Sequence, residues 1–87
     1  MALFTVLALK DSQVEVDAAI TREFPEDSYL IENGRWIVNA DLATTKQVSM
    51  KLVLNSSHLV FALRGYYGFA RPDLWEWLAA QSEKANA

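Results

Sequence analysis

The chain reads as a small α+β domain, with strands and helices in the order β-α-β-β-α-β-α. Three observations predict this. Apolar runs of strand length occupy residues 3–9 and 59–63. An Asn33-Gly34 pair joins two short alternating segments, a strong local cue for a β-hairpin. The intervals between strands carry apolar residues at helical spacing, bounded by residues that start or stop helices.

Residues 3–9 are apolar on both faces, as in a central strand, and Lys10-Asp11 ends the run. Ser12-Gln-Val-Glu15 has the form of a capping box. In that device the serine hydroxyl accepts from the N–H three residues on and the glutamate reaches back. Val16, Ala19, Ile20 and Phe24 then share one helical face, and Pro25 stops the helix.

Residues 28–32 and 35–40 form the hairpin around Asn33-Gly34, for which a type I′ turn is expected. A two-residue loop pairs Glu32 with Arg35, Ile31 with Trp36, Leu30 with Ile37 and Tyr29 with Val38. Tyr29, Ile31, Trp36, Val38 and Ala40 then make the face that meets helices. Leu30, Glu32, Arg35, Ile37 and Asn39 make the other.

Residues 41–54 read as a second helix, with a weaker capping box at Thr44-Thr-Lys-Gln47 and Val48 and Leu52 on one face. Asn55 is placed to end it in a left-handed conformation. The run 59–63 suits a strand buried on both faces or nearly so. Gly65 and Gly68 bracket Tyr66 and Tyr67, which predicts a sharp reversal. Pro72 fits a first helical position and Asp73 the first turn. In this last helix Leu74 and Leu78 form a ridge between Trp75 and Trp77, continued by Gln81 and Ser82. So wide an apolar stripe must dock on something large. Residues 79–87 read as a frayed polar tail.

Two β-α-β halves sharing one antiparallel sheet correspond to the ferredoxin-like βαββαβ plan, here with an additional C-terminal helix. First and third strands are then central, with the two long helices on one face. The opposite face, including Leu30 and Ile37, is left apolar and needs a cover. The C-terminal helix can fold across it, or a second copy can pack on it.

Eighty-seven residues suit one domain, 1–87. A composition of 52% hydrophobic and 22% charged residues is that of a globular chain. There is no cysteine, which excludes disulfides, thiolate metal sites and thiol nucleophiles and suits a reducing cytoplasm. The net charge is −3 with no basic stripe, which argues against binding nucleic-acid phosphates. The apolar N-terminus lacks a basic leader and is shorter than the about 20 residues of a spanning helix, so no membrane segment is expected.

Candidate chemistry is sparse. Lys10, Asp11, Asn39, Asp41, His58 and Asp27 are expected along a common sheet rim. Asp11, Asp41 and His58 there could hold a hard cation or do acid–base work, although both aspartates also suit helix caps. Asp11 resembles in position the aspartate closing the first strand of some small dimeric ferredoxin-like nucleases, among them the CRISPR adaptation subunit and certain toxin–antitoxin ribonucleases. That resemblance covers one residue and a topology, and implies a metal-dependent nuclease or phosphodiesterase as the alternative function. Phe4 and Phe61 could serve a sheet-face RNA reader, but a basic surround is missing. The single histidine has no evident Ser/His/Asp partners.

The function expected is therefore a non-enzymatic module that forms a homodimer or binds a protein partner. Its contact residues are expected to be Tyr66, Tyr67, Trp75, Trp77, Leu30 and Ile37, and no cofactor is implied.

Overall fold

The computed structural model describes residues 2–52, 56–65, 68 and 72–86, the last five as backbone. The elements are β1 (Ala2–Ala8), α1 (Gln13–Glu23), β2 (Ser28–Glu32), β3 (Arg35–Ala40), α2 (Thr45–Leu52), β4 (His58–Ala62) and α3 (Pro72–Asn86). The strands form one sheet in the order β2-β3-β1-β4, with every neighbour antiparallel. The fold is α+β, with β1 and β3 central.

Register decides which side chains share a face. Phe4 lies opposite Val38 and Ala62, and Val6 opposite Trp36 and Val60. Phe4, Val6, Trp36 and Val38 meet Val16, Ala19 and Ile20 of α1 and Val48 and Leu52 of α2 in one buried cluster, with Val60 packed against it. Fully burying such a side chain contributes about 1.5–3 kcal/mol, so this cluster outweighs any single polar link. Arg22 Nη2 donates to the Leu52 carbonyl at 3.0 Å, which satisfies one of the open carbonyls at the end of α2 and ties the helices together.

The capping expectations separate. At α2 the box forms: Gln47 N–H donates to Thr44 Oγ1 (3.1 Å), and Gln47 Oε1 accepts from Ala43 and Thr44 N–H (2.8 and 3.1 Å). It fixes the helix start at Thr45 rather than residue 41, and residues 53–55, Asn55 included, lie outside the described residues. At α1 the Ser12 side chain makes no cap bond. A cap residue normally has extended dihedrals. Ser12 instead has φ −85° and ψ 0°, because its N–H closes a turn on the Leu9 carbonyl at 3.1 Å.

The hairpin spans the expected residues but not the expected register. A type I′ turn needs positive φ at both central residues. Gly34 has it (φ 81°), whereas Lys10 is the one non-glycine residue with positive φ among those described, so Asn33 does not. The strand pair is irregular between Leu30 and Glu32: Glu32 pairs with Arg35, but Leu30 pairs with Trp36, Tyr29 with Ile37 and Ser28 with Val38. One extra residue on β2 turns every side chain before it to the opposite face. Tyr29 therefore joins Ile37, and Leu30 joins Trp36, reversing the expected assignment.

The turn is held by Asp17 of α1. Its Oδ1 accepts from Gly34 N–H (2.9 Å) and from Trp36 Nε1–H (2.7 Å). The Gly34 carbonyl accepts from Ala8 N–H at 2.7 Å. Glycine is favoured here by φ, and a Cβ would also crowd Ala8 Cβ at 3.2 Å and Gln13 Cγ at 3.3 Å.

Two further expectations are corrected. The C-terminal segment is no frayed tail: α3 continues to Asn86, with Leu78 and Gln81 buried. The last strand is not buried on both faces, since β4 is an edge strand with Leu59 and Phe61 exposed.

Replacing Asp17 with Ala leaves two donors unpaired beside the core. It is expected to lower unfolding free energy by about 2–3 kcal/mol in urea titration. Asp17→Asn keeps an acceptor oxygen and is expected to cost less. A change under about 0.5 kcal/mol in Asp17→Ala would place the hold on the hairpin elsewhere.

Candidate functional site

The sheet face opposite α1 and α2 is built from alternate residues. Tyr29 of β2, Arg35, Ile37 and Asn39 of β3, Leu3, Thr5 and Leu7 of β1, and Leu59 and Phe61 of β4 share it by register. Helix α3 covers the β2–β3 side. Tyr29 packs against Trp77 with ring centroids 5.8 Å apart, and Tyr29 Oη donates to Asp73 Oδ2 at 2.7 Å. Further along the helix, Asn39 Nδ2 donates to Gln81 Oε1 at 2.6 Å in a buried pair. Buried polar pairs stabilise modestly but penalise misplacement, so this one sets where α3 sits. Asn39 Oδ1 is buried and has no hydrogen-bond partner.

The β1–β4 side of the same face is different. Leu59 is 45% exposed and Phe61 51%, and they lie opposite Leu7 and Thr5. Leu3 and Leu63 extend the row, with Leu63 N–H donating to the Leu3 carbonyl at 2.9 Å. Apart from Thr5 these side chains are apolar, and the charged residue beside them on this face is Arg35, opposite Leu7 and paired with Glu32 at 3.4 Å. Grouped exposed apolar surface of this kind marks interaction sites, whereas single exposed apolar residues do not.

Of the expected contact residues, Trp75 and Trp77 are half-buried on α3. Ile37 is buried, and Leu30, 40% exposed, is on the opposite face of the sheet beside Trp36. Leu30 and Ile37 thus do not form one surface. Tyr66 and Tyr67 lie outside the described residues. Tyr29 was not legible as a contact of α3, because the bulge that turns it has no periodic signature, whereas Asn39 was expected on the face that the helix could cover and Gln81 on the docking stripe of the helix.

The expected rim divides in two. Ala8 pairs with His58, which sets Lys10, Asp11 and His58 at one end of the sheet. Ala2 pairs with Ala40, and Asn39 N–H donates to the Asp27 carbonyl, which sets Asp27, Asn39 and Asp41 at the other. The seven-residue β1 separates them by roughly 20 Å. Among the described residues no group of three or more His, Asp or Glu side chains could hold a metal ion. Phe4 and Phe61 are on opposite faces, Phe4 in the helix-side core.

His58 does have a side-chain partner. Its Nε2 lies 2.7 Å from Ser49 Oγ of α2, and its Nδ1 lies 2.8 Å from the Ser56 carbonyl. A carbonyl only accepts, so Nδ1 carries a proton, and in the neutral imidazole Nε2 then accepts from the serine hydroxyl. This is the hydrogen-bond order of a nucleophile–base pair, with a neutral carbonyl where triads place a carboxylate. It also fastens the α2–β4 connection, which is what the distances directly account for. Nothing in residue spacing marks Ser49.

Known protein families, curated proteins and solved structures give no match to this chain. Among the described residues no helix is long and apolar enough to cross a membrane.

The His58 arrangement fixes a tautomer. Nitrogen-15 spectra recorded above pH 8 are expected to show the Nδ1–H form, against the Nε2–H form usual for free imidazole side chains. An Nε2–H signal would break the Ser49–His58–Ser56 connection.

Proposed function

We propose that this chain is a non-enzymatic module that self-associates through the uncovered β1–β4 half of its second sheet face. The observation that carries the reading is the apolar group Leu3, Leu7, Leu59 and Phe61, gathered around Thr5 on one face, with Leu59 and Phe61 half exposed. Burying such side chains against a partner recovers the stabilisation that the fold leaves unrealised there. Trp75 and Trp77 on α3, and Tyr66 and Tyr67 ahead of it in sequence, extend the reading to an aromatic flank.

The finer architectural reading belongs with it. Antiparallel neighbours in the order β2-β3-β1-β4, with α1 and α2 packed together against one face, support a ferredoxin-like βαββαβ plan with α3 added on the other. Such a plan leaves a sheet face available for dimer contact. The absence of cysteine fits a reducing, cytoplasmic setting. The alternative of a metal-dependent nuclease rests on Asp11, with His58 at the same end of the sheet and Asp41 at the far end.

Light scattering across a concentration series tests the reading. Wild type is expected to dimerise and Phe61→Asp to remain monomeric. At concentrations low enough for wild type to be monomeric, the unfolding midpoint should scarcely change, because an exposed position away from core and caps costs within about 0.5 kcal/mol. A monomeric wild type at several hundred micromolar, or a Phe61→Asp protein that associates like wild type, would overturn it.

A further inference from the structure

We infer that the partner is a second copy of this chain joined edge to edge, β4 against β4, about a two-fold axis at Val60. The inference rests on the reading above and specifies its geometry.

Hydrogen-bond direction along β4 carries it. Leu63 N–H donates to Leu3, and the Ser57 carbonyl accepts from Leu9 N–H at 3.0 Å. Backbone groups alternate in direction along a strand, so odd-numbered residues of β4 face β1. His58, Val60 and Ala62 therefore direct their N–H and C=O groups away from it. Among the described residues β4 pairs with β1 alone, so those groups form an open ladder.

The two sheet edges are unlike. β2 is interrupted by the irregularity at Leu30/Glu32 and carries a charge at Glu32, two features that discourage edge pairing. β4, His-Leu-Val-Phe-Ala, has no proline, no lysine and no irregularity in its register. It is the edge that stays competent to accept another strand.

Its sequence is self-complementary about Val60. In an antiparallel pair centred there, Val60 faces Val60 of the second copy and His58 faces Ala62. The outward groups then form roughly six backbone hydrogen bonds. Leu59 faces Phe61 of the second copy, and Phe61 faces Leu59. Both of these are non-hydrogen-bonded positions, where opposed side chains approach most closely. The two most exposed apolar side chains of the open face would thus cover each other twice. Arg64 would face Ser56, so no like charges are opposed. The symmetry is isologous and closes at two copies, leaving only the blunted β2 edges at the ends of the combined sheet. So short an edge falls among the weak interfaces, below about 1,000 Å², and predicts concentration-dependent association.

Proline at Ala62 tests the edge without touching the face. The Ala62 N–H makes no bond to β1, and proline is tolerated on the outer side of an edge strand. Ala62→Pro is expected to keep its circular dichroism and lose dimerisation in light scattering. If Phe61→Asp is monomeric while Ala62→Pro still dimerises, the copies meet face to face, and the edge geometry fails while the self-association reading stands. If Phe61→Asp dimerises too, the reading itself has failed.

Register is read separately, and it decides the matter should Ala62→Pro unfold. Leu59→Cys and Phe61→Cys proteins, in a chain with no other cysteine, are expected to form a mixed disulfide when oxidised together. Leu59→Cys alone is expected not to, since its copy would be roughly 8 Å away, beyond the about 7 Å that a disulfide spans. Equal cross-linking in all combinations would overturn the Val60 axis.

Discussion

The Asp17 carboxylate joins α1, the hairpin turn and the core tryptophan, and the arrangement of the sheet depends on that junction. With Gly34 N–H and Trp36 Nε1–H on the same oxygen, the turn cannot slide along α1, and the Trp36 ring must point to the helix side. Val38 and Ala40 follow on that side by alternation, and Ile37 and Asn39 go to the other. The turn has positive φ at Gly34 alone, and the register difference appears on β2 between Leu30 and Glu32. Tyr29 is thereby turned to the second face, where it meets Trp77 and Asp73.

From Tyr29 the position of α3 follows. The aromatic contact near its start and the Asn39–Gln81 pair beyond it fix the helix over β2 and β3. Both attachments are on one side of the sheet midline. Leu59 and Phe61 are on the other and gain no cover from them. The apolar surface left open is therefore the remainder of a sheet face too wide for one helix, and it is the surface that the proposed self-association would use. Part of the aromatic stripe of α3 holds the helix down, through the contact of Trp77 with Tyr29.

Much of this plan was legible in the sequence. The strand and helix order, the central places of β1 and β3, and the bounds of β2 and β3 followed from apolar runs and the Asn-Gly cue. The hidden features depend on single residues or on contacts distant in sequence. A period of two cannot reveal a one-residue bulge, so Tyr29 and Leu30 were exchanged between faces. The Ser12-Glu15 pattern named a capping box but could not register the turn that pulls Ser12 out of cap geometry. The common rim failed on strand direction, because antiparallel β1 and β3 send their C-terminal ends to opposite edges. Ser49 and His58, and Asn39 and Gln81, meet only through the fold.

The division of the second face is the claim on which the rest turns, and nuclear Overhauser effects between side chains test it directly. Contacts are predicted between the Trp77 indole and the Tyr29 ring, and between the Gln81 and Asn39 side-chain amides, with none from α3 to the Phe61 ring within one molecule. Strong intramolecular contacts from the Trp77 or Gln81 side chain to Leu59 and Phe61 would place α3 over β1 and β4, and the surface assigned to a second copy would already be covered.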